Sequence, residues 1–411
     1  MSSTDLQAEP GFGEPKSSQG NQTDSEHAFR QDTVICHSGR DPSAHSGAVN
    51  PPVFHASTIL FPTLAALDAK ATTKIRYGRR GTPTSFALEE AVSALEQAAG
   101  TVLTSSGASA ISTVLLAYAK PGAHVLVPDS AYGPCRHCCN EILSHLGVET
   151  TFYDPQIGAD IATLVRPETC LIWMETPGSL TFEMQDVAAI VAVAKASGIV
   201  TVIDNTWAGG VFFKPLTLGV DISLQAGTKY ISGHSDIMLG TISCAESVYD
   251  RIKAFALRLG LCVGPDDAYL ALRGLRTIGV RMRQHHESGL TLARWLATRP
   301  EVERVMHPAL PQDPGYALWK ANFTGASGLF GFVLKEKDRT RLAAMMDGLK
   351  LYGMGSSWGG FESLMVPTNP SPLRSATNWA VDGQSMRVHV GLEDIADLID
   401  DLERGLKRLT A

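Results

Sequence analysis

Two charged residues in the middle of the sequence have the types and the order that covalent chemistry on an aldehyde requires. Asp204 directly follows the apolar run Val200–Ile203, and Lys229 lies further along, in the segment Gln225–Tyr230. A carboxylate can keep a pyridine nitrogen protonated, and a lysine amine can form a Schiff base with an aldehyde. Such a pair is what a pyridoxal-phosphate site needs. An Asp and a Lys in this order are more often surface charges, so the pair alone does not decide between the two interpretations.

A lysine that acts as a nucleophile must lose its proton easily. The pKa of an exposed lysine is about 10.4, and enclosure in a poorly hydrated site lowers that value. If Lys229 does chemistry, we therefore expect it to be enclosed.

A short polar loop could bind the phosphate group of such a cofactor. The segment Thr104–Ala110 is small and polar, and it precedes the helical pattern Ile111–Tyr118. The amides at the start of a helix can bind phosphate, and the hydroxyl of Thr228 could bind the same group. The alternative is an ordinary capped helix start, which the sequence does not exclude.

A cluster of cysteine and histidine residues raises the question of a metal site. Cys135, His137, Cys138 and Cys139 lie close together, but no second pair of Cys or His at zinc-knuckle spacing occurs in the sequence. The segment from Pro134 to Leu146 also has the pattern of a helix start. We therefore predict buried small side chains here and no metal.

The surrounding pattern predicts an α/β domain that would position these residues. From Thr82 onwards, helical patterns alternate with apolar runs of strand length. The predicted strands are His124–Pro128, Thr169–Met174 and Val200–Ile203, with a helix from Val187 to Lys195 between the last two. This order indicates a mainly parallel sheet, whose ligands bind at the carboxyl ends of the strands.

The pattern changes near the middle of the chain and divides it into predicted domains. After about Arg276 a long helical segment (281–297) leads into mixed strands and turns and a final amphipathic helix, Leu392–Leu409. Residues 82–275 are therefore predicted to form the large domain and residues 276–411 a smaller α+β domain. Residues 1–30 are polar and rich in Ser, Gly and Gln, which predicts a disordered tail.

The composition excludes several classes of function. Hydrophobic residues make up 44% and charged residues 19%, a balance typical of globular proteins. The net charge of −7 gives no general attraction for nucleic acid or an anionic membrane. No apolar run approaches the roughly 18 residues of a membrane span. Seven cysteines without a secretory signal pattern predict reduced thiols and a cytoplasmic location.

Several longer strings resemble the Cys/Met-metabolism family of pyridoxal-phosphate enzymes. They are Tyr77–Thr82, Ile203–Trp207, Gln225–Tyr230, Arg273–Arg276 and Ser357–Leu364, with further matches at Gly279–Ser288, His307–Pro311 and Arg387–Asp394. The resemblance runs in order from about Thr33 to the C-terminus, and it is strongest to the members that cleave cystathionine by β-elimination. It implies fold-type I, the aspartate-aminotransferase-like fold. It also implies a homo-oligomer, a dimer or tetramer, in which residues 31–81 form an arm that contributes to a neighbouring subunit's site.

The resemblance implies roles for individual residues. Lys229 would hold the cofactor and shuttle protons, and Asp204 would pair with the pyridine nitrogen. Tyr132 would stack on the ring, contact the substrate and take part in catalysis. The remaining roles are phosphate binding by Gly107, Ala108 and Thr228, phosphate binding from the neighbouring subunit by Tyr77 and Arg79, and substrate binding by Arg387, Ser357 and Trp358.

Some of these residues have simpler interpretations when taken alone. Tyr132 could be a packed aromatic residue, and Arg387 could form a surface ion pair. His285 and His286 are expected on a helix surface, and His234 is expected to brace the loop after Lys229.

The expected reaction is β-elimination on L-cystathionine and related cysteine S-conjugates, which gives homocysteine or another thiol, pyruvate and ammonia. The main alternative is a γ-acting member, such as a cystathionine γ-lyase, γ-synthase or methionine γ-lyase. These members generally have Leu in place of Trp358, and the cystathionine enzymes among them have Glu in place of Ser356, so both residues favour β-elimination. Ser356 nevertheless differs from the Tyr that is frequent in the β-eliminating members, and Gly227 also departs from the family pattern.

A non-catalytic cofactor-binding regulator is the alternative from another class. The complete set of Lys229, Asp204, Tyr132 and Arg387 argues against it.

Overall fold

The computed structural model describes residues 29–409, and these form two sheets with helices packed on them. The predicted tail, residues 1–30, lies almost entirely outside the described residues. The first sheet has seven strands in the order β1-β7-β6-β5-β4-β2-β3. Their bounds are β1 (Gly100–Thr104), β2 (His124–Pro128), β3 (Glu149–Tyr153), β4 (Thr169–Glu175), β5 (Val200–Asp204), β6 (Ile222–Gln225) and β7 (Gly240–Cys244).

This sheet is mainly parallel, as the sequence predicts. The pairs among β2, β3, β4, β5 and β6 are parallel, whereas β7 runs antiparallel to both β1 and β6. Alternate strand residues belong to two different apolar clusters. Ile172 and Ile203 pack in one, and Leu171 and Val202 in the other. Since both faces of the sheet are covered, the strands are continuous apolar runs rather than alternating ones.

Twelve α-helices lie within residues 29–409. They are α1 (Gln31–His37), α2 (Leu64–Asp68), α3 (Pro83–Glu96), α4 (Gly107–Tyr118), α5 (Gly133–His137), α6 (Val187–Ala196), α7 (Glu246–Arg258), α8 (Pro265–Leu275), α9 (Ile278–Leu296), α10 (Tyr316–Asn322), α11 (Arg339–Met346) and α12 (Ile395–Leu409). A π-helical segment, Cys138–Leu143, continues α5, and 3-10 turns occur at Pro42–His45, Ala69–Thr72, Gly78–Arg80, Gly158–Leu164, Pro215–Leu218 and Ser371–Leu373.

The second sheet is antiparallel and has four strands in the order β10-β11-β9-β8. They are β8 (Val302–Met306), β9 (Leu329–Leu334), β10 (Leu364–Thr368) and β11 (Gln384–His389). A third apolar cluster joins this sheet to α9, α11 and α12. The large domain and the smaller α+β domain of the fold-type I expectation are thus both present. The exact boundaries of the arm (31–81) and the domains (82–275 and 276–411) stay predictions.

Three local expectations are corrected by the structure. The final helix begins at Ile395 rather than near Leu392, and the helix predicted from Ile111 begins at Gly107. His285 does not lie on the surface of α9 but is fully buried. Its Nδ1 lies 2.9 Å from the carbonyl oxygen of Val390, and burial lowers its pKa to about 4. Packing of the second sheet on α9 covers this histidine, a tertiary contact that helical spacing alone does not reveal.

Candidate active site

A cavity of about 400 Å³ lies at the carboxyl ends of the parallel strands, where the first domain meets the second. Residues from both domains form its walls. The residues that carry charge or an aromatic ring are Tyr132, Glu175, Phe182, Asp204, Trp207, Lys229, Trp358 and Arg387. Ligands of open α/β sheets bind at this edge, so the fold brings the residues predicted from widely separated segments to one place.

Asp204 is the last residue of β5 and points its carboxyl into the cavity wall. One carboxyl oxygen accepts hydrogen bonds from the backbone N–H (3.0 Å) and the hydroxyl (2.5 Å) of Thr206. The same hydroxyl accepts a bond from the amide of Ala226, which leads into the Lys229 turn. Burial raises the pKa of Asp204, while these bonds and the nearby Lys229 oppose the rise. The carboxyl group is therefore held in a fixed orientation.

Lys229 follows β6 in a tight turn whose backbone bonds to Ala226 and Gly233. Its Nζ donates a hydrogen bond to Ser357 Oγ at 2.6 Å and lies 5.1 Å from the centre of the Trp358 ring. Burial lowers the pKa of Lys229 to about 8, and the charge of Arg387 adds to this, whereas Asp204 opposes it. The enclosure expected for a nucleophilic lysine is thus present.

Gly359 allows the segment with Ser357 and Trp358 to approach Lys229. Its φ is +88°, and a Cβ there would lie 2.9 Å from the Cβ of Lys229. A larger residue would therefore push this segment away from the lysine.

Arg387 lies on β11, opposite Val366 of β10 and Gly331 of β9. Its Nη2 donates hydrogen bonds to the carbonyl oxygens of Gly355 (3.2 Å), Ser356 (3.2 Å) and Ser357 (3.1 Å). Burial lowers the pKa of Arg387, and an arginine stays protonated despite such a shift. The guanidinium is therefore a fixed cation in the cavity wall, not part of a surface ion pair.

The start of α4 forms another part of the wall. Ser106 caps the helix by accepting a bond from the amide of Ser109 (3.1 Å), and Gly107 and Ala108 line the cavity. A Cβ on Gly107 would lie 2.6 Å from the Cβ of Ala226, so glycine lets the helix start approach the segment between β6 and Lys229. Thr228 also lines the cavity. The arrangement combines an ordinary cap with helix amides near the lysine.

Tyr132 precedes α5 at the edge of the cavity, where its side chain is 44% exposed. Its backbone N–H donates a 2.7 Å hydrogen bond to Glu175 Oε2. Glu175 is a cavity residue that the sequence reasoning missed. Its position at the end of a predicted strand was an available signal, because polar side chains at strand ends form the ligand edge of a parallel sheet.

Tyr77 and Arg79 do not line this cavity in the described chain. Arg79 Nη1 donates a 2.9 Å hydrogen bond to the carbonyl oxygen of Leu257, and its guanidinium lies 5.7 Å from the centre of the Tyr77 ring. Their expected contact with a neighbouring subunit's phosphate stays a prediction.

The cysteine cluster consists of buried side chains. Cys135, Cys138 and Cys139 are buried in the apolar cluster beside α4, and His137 is exposed. Within residues 29–409, no group of three or more Cys, His, Asp or Glu has the arrangement of a metal site. In the same part of the chain, the helices are too short or too polar to cross a membrane.

The cavity fits a phosphorylated pyridine aldehyde. It offers an amine with a lowered pKa, a buried carboxyl, a helix start where a glycine leaves room, and an aromatic ring at its edge. Amine, carboxylate and helix amides are the groups that this cofactor's aldehyde, ring nitrogen and phosphate require.

Comparison with known proteins agrees with this fit. A family model described as Cys/Met metabolism PLP-dependent enzyme matches residues 32–407. Cystathionine beta-lyase MetC of Escherichia coli (strain K12) is 45% identical over 92% of this chain and 98% of its own length. Cystathionine gamma-lyase of Mus musculus is 34% identical, over 91% of this chain and 94% of its own. The crystal structure of metB from Corynebacterium glutamicum superposes with a TM-score of 0.85 at 29% identity, covering 93% of this chain and 98% of that one. The chain therefore belongs to the Cys/Met-metabolism family of PLP-dependent enzymes, and its cofactor is pyridoxal phosphate.

Proposed function

We propose that this protein is a carbon–sulfur lyase that acts by β-elimination on L-cystathionine and related cysteine S-conjugates. The products would be homocysteine or another thiol, pyruvate and ammonia. The 45% identity to a cystathionine beta-lyase, against 34% to a cystathionine gamma-lyase, supports β- over γ-elimination. The observation that carries the proposal is the placement of Lys229 between Ser357 and Trp358, in one cavity with Arg387.

Arg387 is proposed to bind the α-carboxylate of the substrate. Its guanidinium is held by three backbone carbonyls, so it presents a fixed planar cation to an incoming carboxylate. Such fork-to-fork pairing selects amino acids and fixes their orientation. Bound pyridoxal phosphate supplies the electron sink that stabilises negative charge at the substrate's α-carbon.

Lys229 is proposed to move the proton. With a pKa of about 8, the amine loses its proton far more easily than an exposed lysine does, and an unprotonated Nζ can accept the α-proton. The same Nζ, once protonated, can deliver a proton to the departing sulfur. Ser357 Oγ, 2.6 Å from Nζ, holds the amine in place between these two events.

The remaining site residues are proposed to orient the reactants. Asp204 would carry the negative charge that pairs with the pyridine nitrogen. Gly107, Ala108 and Thr228 would bind the phosphate, and Tyr132 would stack on the ring and contact the substrate. Trp358 would shape the space for the group on sulfur. Tyr77 and Arg79 would complete the phosphate site of a neighbouring subunit in a cytoplasmic homodimer or tetramer.

The products formed from L-cystathionine test the proposal directly. Purified holoenzyme should release homocysteine and pyruvate, which can be separated by chromatography and quantified together. Release of cysteine and 2-oxobutyrate would instead identify a γ-acting enzyme. A yellow protein that leaves cystathionine and other S-conjugates unchanged would indicate a cofactor-binding regulator.

A further inference from the structure

A second carboxyl group lies beside Asp204 at the rim of the sheet. Glu175 is the last residue of β4, and it is paired in register with Asp204 of β5. Its side chain lines the cavity, although the residue is only 8% exposed. Neighbouring parallel strands thus end in two acidic residues at one cavity.

The carboxyl of Glu175 binds the backbone just before α5. Its Oε2 accepts a 2.7 Å hydrogen bond from the amide of Tyr132. The amide of Glu175 itself donates a 2.8 Å bond to Gln185 Oε1. Glu175 is therefore a fixed point to which the residue at the start of α5 is attached.

The two carboxyls differ in the groups that compensate a negative charge. Asp204 accepts two bonds from Thr206 and lies in the field of Lys229, whereas the charge that acts on Glu175 is the negative one of Asp204. Burial, with Asp204 adding, raises the pKa of Glu175 well above its usual value. Ionising both of two neighbouring buried carboxyls has a high electrostatic free-energy cost. One proton therefore stays on the carboxyl whose negative charge is less compensated.

We propose that Glu175 is a positioning residue that works as a neutral carboxylic acid, which fixes the backbone of Tyr132 and leaves Asp204 as the single anion at this part of the rim. The inference rests on the proposed function in one respect, because Tyr132 matters to catalysis only if the cavity is the active site. The protonation of Glu175 and its hydrogen bond with the amide of Tyr132 can be measured without any substrate.

Three variants separate the neutral role from an ionic one. Glu175→Gln keeps the shape, the neutral charge and an acceptor for the amide of Tyr132. Glu175→Ala removes the acceptor. Glu183→Gln is the matched control, because Glu183 is a nearby carboxylate that forms a 2.8 Å ion pair with Arg374. Each is compared with wild type by infrared difference spectroscopy, by titration of apoprotein with pyridoxal phosphate, and by thermal melting.

We expect the wild-type minus Glu175→Gln infrared spectrum to contain the carbonyl stretch of a protonated carboxylic acid. The corresponding Glu183→Gln spectrum should contain carboxylate bands instead. Glu175→Gln should keep its cofactor affinity and kcat/KM within about threefold of wild type. Glu175→Ala should lose roughly tenfold in kcat/KM, the size expected when a buried N–H loses its acceptor.

The inference is overturned if Glu175→Gln removes carboxylate bands, or if its kcat/KM falls as far as that of Glu175→Ala. Should Glu175→Ala fail to fold, the Glu175→Gln spectrum still decides the protonation state. Failure of the proposed function would be recognised separately, since wild-type enzyme would then not cleave cystathionine whatever the infrared result.

Discussion

Lys214 and Lys229 show that burial alone does not make a lysine reactive. Burial lowers the pKa of each to about 8. Lys214 donates hydrogen bonds to the carbonyl oxygens of Leu95 and Gly210 and interacts with the buried Glu96. Lys229 instead lines the cavity and has a hydroxyl as its hydrogen-bond partner. An amine that is tied to carbonyls and a carboxylate is structural, whereas one facing an open volume is available for chemistry.

Replacing Arg387 with lysine should weaken substrate binding and leave cofactor binding unchanged. A lysine cannot form two parallel hydrogen bonds to a carboxylate. We therefore expect kcat/KM for L-cystathionine to fall roughly thirtyfold, which corresponds to a loss of about 2 kcal/mol in binding free energy. Steady-state kinetics measure this loss, and the visible absorbance of the bound cofactor should stay unchanged.

Arg299→Lys, at a half-buried position outside the cavity, serves as the control for this variant. An Arg387→Lys enzyme with the KM and kcat of wild type would show that the substrate carboxylate binds elsewhere.

At the scale of elements, the connection between β10 and β11 fastens the second domain to the first. Asp129, just after β2, is 1% exposed. It accepts bonds from the amides of Ser375 (2.9 Å) and Thr377 (2.8 Å), from both of their hydroxyls, and from Arg136 Nη1 (3.0 Å). Arg136 also donates to the hydroxyl of Ser375. Leu373 of the same connection lines the cavity, so this contact fixes one of its walls.

Asp129→Asn should destabilise the protein strongly, because it removes the charge that compensates the buried Arg136 and replaces two acceptor sites with donors. Breaking a buried pair costs roughly 3 kcal/mol. We therefore expect Tm to fall by several degrees in differential scanning calorimetry. Asp382→Asn, at an exposed ion pair with Lys337, should change Tm little. Equal melting of the two variants would contradict this account of the domain contact.

The sequence predicts the elements of this fold better than their contacts. The strands β2, β4 and β5 are predicted almost to their ends, because buried parallel strands are short apolar runs with clear boundaries. The antiparallel direction of β7 has no local signal, since hydrophobic pattern does not encode direction. The carboxyl end of β5 predicts where Asp204 lies. That Ser375 and Thr377 bind Asp129, in contrast, depends on tertiary contacts between distant segments, as does the burial of His285.

For the molecule as a whole, buried neutral histidines link folding to pH. His307 is fully buried, its Nδ1 accepts a 3.1 Å bond from the amide of Ala309, and burial lowers its pKa to about 3. In the unfolded chain the pKa of a histidine is about 6.5. Below pH 6.5 the unfolded state therefore binds a proton that the folded state excludes, and stability is lost as pH falls from about 6.5 to about 3.

His307→Asn should reduce the loss of stability at low pH. Asparagine can accept the amide of Ala309 but does not titrate, so the pH slope of the unfolding free energy should decrease by about 1.4 kcal/mol per pH unit in this window. Urea unfolding at pH 5 and at pH 7.5 measures the slope, with His145→Asn at an exposed position as control. A slope identical to wild type would mean that His307 is protonated in the folded state.

The identity of the lysine that carries the cofactor tests the central claim most directly. Borohydride reduction of the holoenzyme, followed by proteolysis and mass spectrometry, fixes the cofactor to its lysine and locates it in the sequence. We predict that the reduced cofactor is found on Lys229 and that the Lys229→Ala protein carries none. Recovery of the modification on Lys214, or on any other lysine, would contradict the site described here.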